Sequence, residues 1–242
     1  MTRAMSCEIS GGREKFETTS VWDPRSECRF VAAQPDEEPE LWSEYLAGAL
    51  NSYTKHEVLE ALQYEQIRDG TSSTLFFVAV GPDGSVNGGM RAQGPHTRVE
   101  QVHAISEWAG RPGERELTAM VADRIPFGVV EMKSAWVADG VARRKELTRS
   151  LADVIVWGLE LLDVQFVLGT AADHVLKLWS SSGGEVSSRI PPTPYPDERY
   201  CTRVMWWDRR KLPIGPDAHR LTRPAASSHA HGGDPVRLSR SV

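Results

Sequence analysis

Residues 128–169 read GVVEMKSAWVADGVARRKELTRSLADVIVWGLELLDVQFVLG. The stretch opens on an apolar run over 128–137 that predicts a strand. Over 145–162, Leu147, Leu151, Val154, Ile155, Gly158 and Leu162 fall on one face at helical spacing. VQFVLG at 164–169 predicts a second strand. Two strands separated by one helix lie side by side and parallel, with a right-handed crossover. This unit sets the fold class as a layered α/β or α+β domain.

Reading outward from it, LFFVAV (75–80), the turn GPDG and SVNGGMRA (85–92) form a β-hairpin. The segments 41–50 and 55–67 are amphipathic and predict two helices, and 113–124 predicts another. Residues 99–107 read as a strand. Downstream, Asp173 is placed to cap a short helix at 174–181 that ends at Gly183–Gly184. A Pro-rich loop at 191–196 leads to a last strand at 200–207. The sum is a mixed, mostly antiparallel sheet with helices on both faces. Three regions are expected: an acidic, poorly ordered leader at 1–40, a folded domain at 41–210 and a disordered basic tail at 211–242.

Composition narrows the function. The 242 residues carry a formal net charge of −5, which gives no global reason to bind nucleic acid. No apolar run is long enough for a membrane span, and the acidic first 30 residues are no secretory signal. Cys7, Cys28 and Cys201 lack metal or disulfide spacing and suit a reducing compartment, so a cytoplasmic protein is expected. His229 and His231 lie in the tail without further ligands, and no metal is expected. GxSxG, Walker, HExxH and GxGxxG patterns are missing from the sequence. Trp is unusually frequent, with eight residues. Trp42 and Trp157 sit on helices, whereas Trp136, Trp206 and Trp207 fall on the strands at 128–137 and 200–207 and Trp179 on the short helix at 174–181.

A carboxylate at the middle of a core strand is costly to bury unless it is paired or functional, which singles out Glu131. Strand alternation puts Glu131, Lys133, Ala135 and Val137 on one face and Val130, Met132, Ser134 and Trp136 on the other. Glu131 is either a general base or the ion-pair partner of Lys133, and such a pair would weaken it as a base near neutrality.

The element order over 75–210, with VAVGPDGSVNGGMR, EMKSAWV and the long helix after VARRKE, resembles the GCN5-related N-acyltransferase superfamily. GGMR, VVEMKSAWV and His174 are similar to the branch that holds the acyl-homoserine-lactone and N-acyl amino acid synthases. The resemblance implies an acyltransferase that moves an acyl group from a thioester donor to the amine of a small molecule. The donor would be acyl-CoA or the acyl-phosphopantetheine of an acyl carrier protein. It implies that the backbone of Trp136 and Val137 pairs with the donor arm, and that Arg143, Arg144, Lys145 and Thr148 lie at the phosphates. The superfamily's small residues are replaced there by Glu146 and Thr148. Glu131 would act as base and Tyr195 as the donor to the leaving thiolate, with Trp179 and Tyr200 as other choices. Arg189 or Arg199 would hold an acceptor carboxylate. An acetyl-CoA-dependent acetyltransferase and a catalytically inactive binding module remain as alternatives, the latter favoured by the lost small residues.

Overall fold

The computed structural model describes residues 15–212. Eight strands form one sheet: β1 (Thr19–Asp23), β2 (Cys28–Ala33), β3 (Leu75–Val80), β4 (Val86–Gln93), β5 (Val129–Val137), β6 (Phe166–Ala172), β7 (Glu185–Val186) and β8 (Thr202–Asp208). Their spatial order is β1-β2-β3-β4-β5-β6-β8-β7, and β5–β6 is the parallel pair among antiparallel ones.

Helix α1 (Pro39–Lys55) starts with Pro at its first position and Glu40 in its first turn, both favourable at a helix N-terminus. It is followed by the short helices α2 (Leu59–Leu62) and α3 (Tyr64–Ile67). After β4 come α4 (His103–Glu107) and α5 (Glu114–Arg124). Helix α6 (Arg144–Leu161) connects β5 to β6, and α7 (Leu176–Ser180) follows β6.

Helix α6 covers one face of the sheet, where Leu151, Ile155 and Trp157 pack with Phe77, Met132 and Val167. The opposite face carries two patches. Helix α1 buries Trp42, Tyr45 and Leu46 against Phe76 and Trp136. Helix α5 buries Leu117 and Val121 with Trp108, Phe166 and Trp206.

Four expectations are corrected. The leader at 1–40 is not one unstructured stretch: residues 19–33 form β1 and β2, and Phe30, Ala32 and Ala33 are fully buried. At its acidic end, Asp36 and Glu37 form the turn that leads into α1, Glu38 is the N-cap and Glu40 lies in the first turn. Residues 99–107 form a 3₁₀ turn and α4 rather than a strand. Asp173 does not cap the next helix, because its carboxylate pairs with Arg203 on β8. The alternation along β5 also breaks. Ser134 has φ 55, the register to β4 shifts between Gly89 and Arg91, and Tyr45 donates its hydroxyl proton to the Ser134 carbonyl at 3.0 Å. One extra residue in a strand reverses the facing beyond it. Val130 and Met132 therefore face α6, whereas Trp136 faces α1. Residues 213–242, with His229 and His231 and most of the expected tail, lie outside the described residues, as do 1–14.

Candidate active site

Strands β5 and β6 pair at Val129–Phe166, Val130–Val167 and Glu131–Leu168, and there the ladder stops. Strand β5 runs on to Val137 against β4, and β6 runs on to Ala172 against β8. The two diverge, and the wedge between them opens into a cleft of about 360 Å³. Lys133, Ser134 and Ala135 line one wall and Gly169, Thr170 and Ala171 the other. The floor carries Glu107, Tyr53 and Tyr195, and the apolar side carries Met132, Trp179 and Trp207.

Glu131 stands behind this cleft, not among its lining residues. It is 1% exposed, and both carboxylate oxygens are engaged. Oε2 accepts the backbone N–H of His103 at 2.9 Å and Oε1 that of Ala104 at 2.8 Å. These amides open α4 and have no partner within the helix. A carboxylate at that end satisfies them and complements the helix dipole. Lys133 Nζ lies 3.8 Å from Glu131 Oε1 and 3.6 Å from Glu107 Oε1.

Anchoring α4 brings Glu107 to the cleft. Its Oε1 lies 2.9 Å from His103 Nδ1, which also contacts Lys133 Nζ. Burial raises the Glu107 pKa, but the bond to His103 and the Lys133 charge outweigh it, and the carboxyl titrates below its ordinary value. Oε2 of Glu107 is buried with no hydrogen-bond partner. His103, Glu107 and Glu131 bring three possible ligand atoms within 4.8 Å of one another. The Lys133 ammonium lies against all three residues and supplies the positive charge in their midst.

Tyr195 lines the cleft with its ring 6.2 Å from that of His103. Burial and the nearby Glu107 push its hydroxyl pKa up, so it stays protonated at neutral pH. The same burial pushes Tyr53 up to about 12.

The donor-side residues are distributed unevenly. Trp136 and Val137 pair through their backbones with Gly89 and Gly88 on β4, and their far edge faces the wedge without a strand partner. The Trp136 ring does not reach the cleft. It packs beside Tyr45 over Gly48 and lines a smaller groove under α1. Arg143, at φ 59, pairs with Glu27 in the β1–β2 turn at 2.8 Å. Arg144 lies 3.9 Å from Asp139, and Lys145 is exposed. The Thr148 hydroxyl donates to the Arg144 carbonyl at 2.7 Å. Two of the three expected phosphate-binding cations therefore already face a carboxylate. Tyr200 lines the cleft, and Arg199 is exposed and held by Asp197 and Glu57.

Glu107 and His103 were not among the residues expected to act together. Their i, i+4 spacing is the one local signal, and it has meaning only on a helix. No described helix is long and apolar enough to cross a membrane.

No family model matches the chain. Uncharacterized proteins of Mycobacterium tuberculosis and Mycobacterium bovis are 45% identical to it over 243 aligned residues, covering 100% of this chain and 92% of theirs. Among solved structures, FeeM, an N-acyl amino acid synthase from uncultured soil microbes, matches with a TM-score of 0.54 at 13% identity, covering 76% of this chain and 92% of that one. A CoA-dependent acyl-homoserine lactone synthase, BjaI, solved with SAM and isopentyl-CoA, matches with a TM-score of 0.48 at 14% identity, covering 78% and 84%.

Proposed function

The chain belongs to the family of these mycobacterial proteins and has the GCN5-related N-acyltransferase fold, and we propose that it transfers an acyl group from a thioester to the amine of a small molecule. The observation that carries this reading is the parting of β5 and β6 after Glu131 and Leu168, beside the unsatisfied Glu107 Oε2. An unpaired strand edge accepts an extended amide-bearing chain as an added strand. A pantetheine arm is such a chain. It would lie along Lys133–Val137, with Arg143, Arg144, Lys145 and Thr148 near its phosphate end. Met132, Trp179 and Trp207 would take the acyl group.

A thioester is already activated, so the protein contributes positioning and charge stabilisation. Glu107 holds the incoming amine through Oε2. Attack on the thioester carbonyl makes that nitrogen far more acidic, so a carboxylate with a low pKa is a competent acceptor of its proton. Tyr195, kept protonated, donates a hydrogen bond to the departing sulfur. In this reading Glu131 is a positioning residue, because it holds α4 and thereby Glu107.

The test is to incubate the purified protein with acyl-CoA and acyl carrier protein donors and a panel of amines. Free thiol and acylated product are followed by mass spectrometry. Thiol release that requires an amine and is lost in Glu107→Gln supports the reading. No release from any donor at high micromolar concentration overturns it in favour of a binding module.

A further inference from the structure

Lys133 is the one lysine among the described residues that line the acyl cleft. Its side chain is 7% exposed, whereas Lys15, Lys55, Lys145, Lys177 and Lys211 all lie on the open surface. A lysine is seldom buried this far unless its nitrogen is held or used. Here three groups hold it: Nζ contacts His103 Nδ1 and lies 3.6 Å from Glu107 Oε1 and 3.8 Å from Glu131 Oε1. Beyond balancing those charges, a lysine amine that has given up a proton is a nucleophile.

Lys133 also stands where a thioester carbonyl would arrive. It lies just past Glu131–Leu168, the last pair of the β5–β6 ladder, at the closed end of the wedge. An arm running in from the Val137 end would bring its acyl group to this point. Gly169 and Thr170 form the wall opposite. An amine fixed beside a thioester reacts as if at very high concentration. His103 supplies a route for the proton. Its Nδ1 contacts both Lys133 Nζ and Glu107 Oε1, the latter at 2.9 Å. A proton passed from Nζ to Nδ1 is therefore met at once by a buried carboxylate.

We propose that Lys133 is itself an acyl acceptor, with His103 taking its proton, so that the chain modifies its own cleft when it holds a thioester and no free amine. The inference rests on the reading of this cleft as a thioester site. The ammonium passes one proton to His103 Nδ1, and the free amine attacks the thioester carbonyl. The C–N bond forms and the C–S bond breaks. Of the ammonium protons, one stays on the amide, one ends on the departing sulfur and one leaves to solvent. The amide carries no charge and does not pass its acyl group on. The reaction therefore stops at one acyl group per chain and is a modification, not a step of turnover.

The test is mass spectrometry on the full chain incubated with acetyl-CoA, hexanoyl-CoA or dodecanoyl-CoA and no amine. At least one donor should add a single acyl group with an equal amount of free thiol, and peptide mapping should place it on Lys133. Simple chemical acylation favours exposed lysines. Labelling of Lys133 at least about tenfold faster than Lys145 is the result expected from a positioned amine, and denaturant should abolish the excess. Lys133→Arg keeps the charge and should lose the adduct. His103→Gln should slow labelling of Lys133 by at least about tenfold and leave Lys145 unchanged. Melting curves report whether each variant is folded, and the map of the unaltered chain decides without them. No adduct from any donor overturns the proposal, as does labelling of Lys133 no faster than Lys145. So does an unchanged rate at Lys133 in a folded His103→Gln chain. Multiple-turnover thiol release with an added amine is followed separately. The transferase reading can thus fail while Lys133 is labelled, or stand while it is not.

Discussion

The carboxylate of Glu131 holds the backbone N–H of Ala104 at 2.8 Å, joining the middle of β5 to the first turn of α4. A core-strand acid has become a cap for a helix distant in sequence, and the orientation of Glu107 depends on it. Glu131→Gln keeps one acceptor but turns an N–H donor toward a helix amide. We expect it to lower stability by roughly 1–3 kcal/mol, the cost of leaving a buried polar group unsatisfied. Thermal unfolding measures this, and turnover should fall with it.

Glu107→Gln should separate chemistry from folding. Its Oε2 makes no internal bond, and Glu131 still neutralises Lys133. The expected result is a loss of about 10²–10⁴-fold in kcat, the usual contribution of a positioned acid or base, with a smaller change in melting temperature than Glu131→Gln gives. Equal stability losses with unchanged kcat would remove Glu107 from the mechanism.

Two helix glycines should respond differently to Ala. A Cβ on Gly48 would sit 2.0 Å from the Trp136 ring, which is fixed between α1 and the sheet. A Cβ on Gly158 would sit 2.3 Å from Met132 Cε, the free end of a flexible side chain. Gly48→Ala should cost about 1–3 kcal/mol as an overpacked site. Gly158→Ala should be nearly neutral, since Met repacks readily and Ala favours the helix. Denaturant unfolding of both variants checks the contrast.

Asp23 makes stability depend on acid. Burial alone would raise its pKa, but hydrogen bonds from Ser150, Ser26 and Arg25 outweigh burial and hold it below the ordinary carboxylate value. The unfolded chain then binds the proton more readily than the folded one. The contribution is complete above the unfolded pKa of about 3.9 and is lost as pH falls through the lower folded value. Melting curves from pH 6 to pH 2.5 should fall more steeply for the native chain than for Asp23→Asn.

Glu27→Ala should free Arg143. Both partners are about half exposed, so the pair is worth at most about 1 kcal/mol. Stability should hardly change. Affinity for acyl-CoA should rise by up to about fivefold, as expected from that energy, and calorimetry with a non-hydrolysable thioester analogue reads it.

The central crossover was legible because its evidence is local. The helix face of 145–162 and the flanking apolar runs each carry their own period, and α6 with β5 and β6 follows it closely. The segment at 99–107 was not legible, because what makes α4 a helix is Glu131, a residue outside it. Glu107 was missed for the same reason. The face of Trp136 is not legible from alternation, because a single extra residue at Ser134 inverts a period-2 pattern. Cys28–Ala33 was absorbed into the leader because a short buried run among acids and turn residues has no period to recognise. Cleft residues such as Tyr195 are reached only through the resemblance, which gives each a role.

The hairpin of β1 and β2 also decides how this chain can be cut. Strand β2 pairs with β3 from Arg29–Val80 to Ala33–Phe76, and the turn below it is fastened to α6 through Asp23–Ser150 and Arg25–Asp153. A product begun at residue 41, where the sequence invites a domain start, would leave β3 with open hydrogen-bonding groups over Phe76, Phe77 and Val78. Such an edge recruits other strands. The first strands thus move the sheet edge from the fully buried run of β3 out to the short, half-exposed β1, and a trimmed protein would be expected to fail by aggregation before its chemistry could be assayed.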